Sequence, residues 1–96
     1  MTEEKYYFDA NALVKCYKDE EGSLEIRRLV SSTLHPILVS ELTLLECFSV
    51  IMKEKRRGNF KLKRVRVIYQ ELKKIVNARS YHFELVSTPE EIFQLA

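Results

Sequence analysis

Three short apolar runs, each far from the next along the chain, set the strongest limit on the fold. Lys5-Tyr6-Tyr7-Phe8 and Ile37-Leu38-Val39 are separated by 28 residues, and a further 41 residues separate Val39 from the run Tyr81 to Val86. Aromatic and β-branched residues suit strands. The spacers carry helical periodicity. Strands joined by helical crossovers rather than tight turns pair in parallel. The reading is therefore α/β: a short parallel sheet of three strands between helices, built as one domain over residues 1–96.

The spacers give the helices. Asn11 to Lys18 reads as a short helix with Ala12, Leu13, Cys16 and Tyr17 inward. Gly22 and Ser23 break and restart the chain. Ser23 is the expected N-cap of a second helix, with Ile26, Leu29 and Val30 inward. After the second run, a long helix is predicted from about Leu42 to Arg57. Its apolar residues Leu44, Cys47, Phe48, Ile51 and Met52 recur at the helical period. Leu42 and Leu45 widen that face and predict burial on more than one side. Gly58 suits the position after the helix end. A fourth helix is predicted from Phe60 to Ala78, with an inner stripe of Leu62, Val65, Ile68, Tyr69, Leu72, Ile75 and Val76. Thr88-Pro89-Glu90-Glu91 has the form of a fifth helix start, with Thr88 as N-cap and Glu91 completing a capping box.

Charge is distributed unevenly. Residues 1–52 hold 5 basic and 9 acidic residues, residues 53–80 hold 11 basic and 2 acidic, and residues 81–96 hold 3 acidic and no basic residues. The basic block gathers around Gly58 as Lys53, Lys55, Arg56, Arg57, Lys61, Lys63, Arg64 and Arg66. Such a cluster can neutralise phosphates, or serve as a solvated elbow between two helices. A DNA-binding helix–turn–helix is disfavoured, because both flanking helices are too long.

Two cysteines, Cys16 and Cys47, lie within apolar helical patterns and read as buried reduced thiols. No CxxC or HxxxH spacing suggests zinc. No apolar run is long enough to cross a membrane. The start of the chain, with Glu3 and Glu4, does not have the form of a signal peptide. A cytoplasmic protein is expected.

Two carboxylates stand out by position. Asp9 ends the first strand, and Glu46 lies early in the helix that follows the second. In parallel α/β sheets, ligands bind beyond the carboxyl ends of the strands. Both residues belong to that edge. Carboxylates converging there are hard oxygen ligands suited to Mg²⁺ or Mn²⁺. Equally, Asp9 could cap the first helix, and Glu46 could be a solvated charge.

Phe8-Asp9-Ala10-Asn11-Ala12-Leu13-Val14-Lys15 resembles the opening of PIN domains, in which an apolar strand ends in Asp and a short helix follows. Glu20-Glu21-Gly22-Ser23 resembles the turn before their second helix. Val39-Ser40-Glu41-Leu42-Thr43-Leu44-Leu45-Glu46 resembles their second block, and Arg56-Arg57-Gly58 the helix end beyond it. The likeness is nearest to toxins of the VapC type. It implies a three-layer PIN-like fold and metal-dependent cleavage of RNA phosphodiesters.

The resemblance matches Asp9 and Glu46 to catalytic metal ligands, and Asn11 and Ser40 to polar positions beside the site. It implies Mg²⁺ or Mn²⁺ as cofactor, RNA as substrate and an antitoxin protein as partner. Lys53, Arg56, Arg57, Lys61, Lys63 and Arg64 are the candidate RNA-binding residues. PIN domains carry a further acidic residue on a later helix, and a further strand, which the resemblance leaves beyond Ala96. A truncated domain of this kind would expose Tyr6, Tyr7 and Phe8 on an apolar sheet edge. It would then pair with a second copy, or act as a non-catalytic module for oligomerisation or for RNA or antitoxin binding.

Overall fold

The computed structural model describes residues 5–86. The fifth helix expected at Thr88 lies outside them. The elements run α1 (Ala10–Lys15), α2 (Ser23–Ser32), β1 (Ile37–Ser40), α3 (Glu41–Arg56), α4 (Leu62–Val76) and β2 (Phe83–Val86). β1 and β2 pair in parallel, with Ile37 opposite Phe83 and Ser40 opposite Val86.

The first predicted strand is reduced to a single parallel bridge, Tyr7 to Leu38. Phe8 N donates to Leu38 O (3.0 Å) and Leu38 N to Tyr6 O (2.8 Å). The ladder stops there for a local reason. Asp9 is already extended N-cap backbone, its side chain accepts from Ala12 N, and α1 begins at Ala10. β1 is therefore central, with Tyr6–Phe8 on one side and β2 on the other. The predicted apolar edge is also smaller than expected. Phe8 is buried and meets the Phe83 ring edge-on at 6.0 Å, while Tyr6 packs on the core, leaving Tyr7 as the exposed member.

The core lies where the helices cover this sheet. Leu13, Ile37, Val39, Cys47, Ile51 and Ile68 are fully buried. Each of the four helices supplies its central apolar positions: Leu13 and Val14 from α1, Val30 from α2, Leu44, Cys47 and Ile51 from α3, and Val65, Ile68, Leu72 and Ile75 from α4. Burying such a stripe, rather than propensity, is what stabilises helices of this length.

Four details depart from the sequence reading. Ser23 is the first residue of α2, not its cap. It is buried, its hydroxyl donates to Lys18 O and accepts from Glu20 N, and Gly22 takes the cap position at φ 88°. Leu42 and Leu45 are exposed, so α3 is not buried on more than one side. Leu62, Tyr69 and Val76 are also exposed, which narrows the inner stripe of α4. Finally, α4 ends before Ala78, which adopts a left-handed φ of 56° just past the helix. Gly58 is at φ 83° after α3, as expected of a residue with no Cβ to strain there.

Both cysteines are free thiols. Burial pushes the Cys16 thiol up to about 11 and the Cys47 thiol up to about 12, so neither ionises near neutral pH.

Candidate acidic site and basic elbow

Asp9 and Ser40 leave the sheet at the same edge. Tyr7 pairs with Leu38, so the residue two beyond Tyr7 is level with the end of β1. From there two helices start side by side, α1 after Asp9 and α3 after Ser40. Their far ends also meet: Lys18, just past α1, bonds Glu54 in the last turns of α3 (3.1 Å). The two helices therefore run in the same direction, with both N-termini at the carboxyl edge of the sheet.

A cluster of hydroxyls locks this junction. Ser40 caps α3 by accepting from Thr43 N (3.1 Å). Its oxygen also lies 3.0 Å from Thr43 Oγ1, and Tyr7 Oη reaches both, at 3.3 Å from Ser40 and 3.2 Å from Thr43. Ser40 is buried and fully engaged, so its work in the fold is to cap α3 and anchor Tyr7. Tyr7 and Thr43 escaped the sequence reading. Thr43, three residues beyond a helix-capping serine, was the available signal; Tyr7 gave none beyond its outward place in the strand.

The carboxylates sit on this frame, exposed. Asp9 Oδ1 accepts from Ala12 N (2.8 Å), which leaves the second oxygen available. Capping and ligation are thus compatible in one side chain, and the two readings of Asp9 need not compete. Glu46 follows Thr43 by three residues, about one helical turn, and makes no hydrogen bond or ion pair with the described residues. Asn11 is exposed on the first turn of α1. Among the described residues there is no group of three or more His, Cys, Asp or Glu that could hold a metal ion. Two carboxylates still fit Mg²⁺, which keeps several waters and is commonly held by one or two carboxylates together with substrate phosphate.

The basic residues lie at the other end of α3. Lys53 and Arg56 are in its last turn, Arg57 is its C-cap, Lys61 is the N-cap of α4, and Lys63 and Arg64 follow in the first turn of α4. Lys61, Lys63 and Arg64 border a shallow opening with Tyr17, Asp19 and Arg27. Arg64 is partly committed there, donating to Tyr17 O (3.2 Å). The six cations are shared between the end of α3 and the start of α4.

Glu54, the acid within the basic block, has a different role from its neighbours. It is covered by its own partners: Lys18, Arg57 at 3.5 Å, and the Asn59 side-chain amide. The Asn59 and Lys18 hydrogen bonds hold its carboxyl below the usual carboxylate range, and the same contact raises the Lys18 ammonium. A depressed folded value makes the contribution of Glu54 complete above the unfolded value of about 4.3. That contribution disappears as pH falls through the lower folded value. Glu54→Gln is expected to lower the unfolding midpoint at neutral pH and to flatten its dependence below about pH 5. Urea unfolding across that range would show it; parallel curves for the two proteins would contradict it.

The order and pairing of these elements define a small α/β domain with a parallel sheet. The chain belongs to the PIN domain family, whose model matches residues 6–93. No curated protein matches it. Membership brings nuclease chemistry, in general on RNA, and a divalent metal ion as the family's cofactor. No helix among the described residues is long and apolar enough to cross a membrane.

Proposed function

We propose that this chain is a metal-dependent endoribonuclease of the VapC toxin type, with Asp9 and Glu46 as its metal-binding carboxylates and Mg²⁺ or Mn²⁺ as its ion. The observation that carries the reading is two exposed carboxylates, Asp9 at the N-cap of α1 and Glu46 in the second turn of α3, on helices whose starts are pinned together by Tyr7, Ser40 and Thr43. Such an ion supplies an activated water and neutralises charge on the phosphate.

The protein groups do the rest. Asp9 offers its free oxygen while its other oxygen stays bonded to Ala12 N, which fixes the carboxylate plane. Glu46 supplies the second negative charge from the adjacent helix. Asn11, on the first turn of α1, is a neutral donor for a phosphate oxygen. Further ligands come from substrate, from water and from groups outside the described residues. In this reading a second copy of the chain supplies the remaining protein ligands, and an antitoxin protein restrains the enzyme in the cytoplasm.

One observation favours a second reading, a PIN module that binds RNA or an antitoxin, or oligomerises, without cutting. It is the lack of a third metal-ligating side chain near the pair among the described residues. Labelled RNA incubated with the purified chain and Mg²⁺ or Mn²⁺ separates the two. Cleavage that a chelator stops, and that Glu46→Gln lowers about 100-fold or more, supports the enzyme. A folded protein that leaves RNA intact with either ion supports the module.

A further inference from the structure

The face of α3 that carries Glu46 continues to the basic elbow in a straight line. Lys53 is seven residues beyond Glu46, and Arg57 is eleven beyond it. At 3.6 residues per turn, both spacings return to the same side of the helix within about 20°. Leu42, Glu46, Ser49, Lys53 and Arg57 are all exposed, and this stripe flanks the buried row Thr43, Cys47 and Glu54. Lys53 makes no ion pair or hydrogen bond with the described residues. Arg57 keeps its side chain 67% exposed despite touching Glu54. Glu54, the acid at this end of α3, is turned inward and occupied by Lys18 and Asn59, so it does not neutralise Lys53.

We propose that this stripe is the track for a single RNA strand leaving the acidic site, with Lys53 and Arg57 as its two phosphate anchors; the inference rests on the ribonuclease reading. The rise of 1.5 Å per residue puts the anchors about 10 Å and 16 Å along the axis from Glu46. At roughly 3.4 Å per nucleotide in a stacked strand, these distances correspond to about three and five nucleotides from the phosphate at the acidic site. A row one side chain wide meets one backbone, not the two of a duplex. Contacts to phosphate alone position a strand without reading its bases. Lys61, Lys63 and Arg64 lie at the start of α4 and border the opening with Tyr17, Asp19 and Arg27, off the α3 stripe. On this track the strand extends about five nucleotides to one side of the cut.

The test is RNA binding, measured by fluorescence anisotropy with chelator present so that no cleavage occurs. The probes are single-stranded RNA of graded length, and the affinity is followed against salt. Two anchors on a single strand contribute about 1.4 to the slope of log affinity on log salt, or about tenfold in affinity at 0.15 M salt. Lys53→Ala with Arg57→Ala is expected to remove that amount for strands longer than about five nucleotides and little for shorter ones. Lys53→Ala alone, which removes no hydrogen bond or ion pair among the described residues, is expected to remove about half of the slope change. Arg66→Ala with Lys73→Ala, two exposed cations of α4, is the control and should leave the slope unchanged.

An unchanged slope in the Lys53 and Arg57 variants overturns the track, as does an equal loss in the control pair. If poly-glutamate competes with the same dependence on Lys53 and Arg57, the stripe is a site for an acidic protein and the RNA assignment falls. Cleavage of RNA without this dependence would overturn the track but leave the nuclease reading standing. Track-dependent binding with no cleavage would do the reverse.

Discussion

Asp9→Asn is expected to leave the protein folded and to abolish most metal-dependent cleavage, whereas Asp9→Ala should damage both. The separation follows from the cap that Asp9 makes and the metal ligation proposed for it. Asp9 Oδ1 accepts from Ala12 N at 2.8 Å and so caps α1. Asparagine has an oxygen in the same place and is as good an N-cap as aspartate, so the unfolding midpoint should move little. Its amide, however, carries no negative charge and replaces the second oxygen by a donor. A site with two carboxylates would lose half of its charge toward the ion. A fall in cleavage of about 100- to 1000-fold is expected, on the scale of removing one electrostatic stabiliser from an active site.

Alanine also removes the cap, at about 1 kcal/mol. For a domain near 100 residues, that is a drop of about 4–8 °C in Tm. Cleavage assays paired with thermal unfolding of both variants make the comparison. Full activity in Asp9→Asn would remove Asp9 from the site and leave it only as a cap. Equal loss of stability in both would show that the charge, not the hydrogen bond, holds α1.

The same residue illustrates how much of this protein was readable in its sequence. The strand–Asp–helix run at Phe8 to Lys15 and the Ser40 to Glu46 block gave the family and the sheet edge at which Asp9 and Ser40 stand level. Element order followed from spacing alone, since strands separated by 28 and 41 residues of helical pattern have little choice but parallel pairing. Local chemistry also carried Gly58. What remained illegible was set by partners distant in the chain. Glu54 reads as one acid among many bases, and its burial depends on Lys18, 36 residues away. Tyr7 reads as one more strand aromatic, and its hydroxyl matters because Ser40 and Thr43 come to meet it.

The errors at helix surfaces share a physical cause. Periodicity locates the centre of an apolar stripe, but its width is decided by what covers it. On α4 the centre, Val65, Ile68, Leu72 and Ile75, is buried. Tyr69 and Val76 lie on its flank and instead line a shallow apolar opening with Leu45 and Phe48 of α3. Lys53 and Lys63, grouped by their nearness in sequence, lie on different helices, α3 and α4, on either side of the turn at Gly58.

Leu13→Ala is expected to be among the most destabilising single changes in the chain, and to reduce cleavage even where the protein remains folded. α1 has only six residues, far fewer than a helix needs to persist alone in water. It exists because Leu13 and Val14 are buried and because it lies against α3. Leu13 is fully buried, and truncating such a leucine costs about 2–5 kcal/mol. With total stabilities of about 5–15 kcal/mol usual for domains, much of the margin would go. The expected fall in Tm is about 10–30 °C.

The functional consequence comes from position. α1 starts at the residue after Asp9, so any loosening of the helix releases the Ala12 N contact that orients the carboxylate. Cleavage measured well below the new midpoint should therefore fall by more than the small unfolded fraction explains. Hydrogen exchange would show the amides of Leu13 and Val14 opening before those of α4. A shift of only a few degrees in Tm would mean that α1 is held by its cap and by the Lys18–Glu54 contact rather than by its buried face. Retained activity alongside a large loss of stability would mean that Asp9 keeps its orientation without the helix behind it.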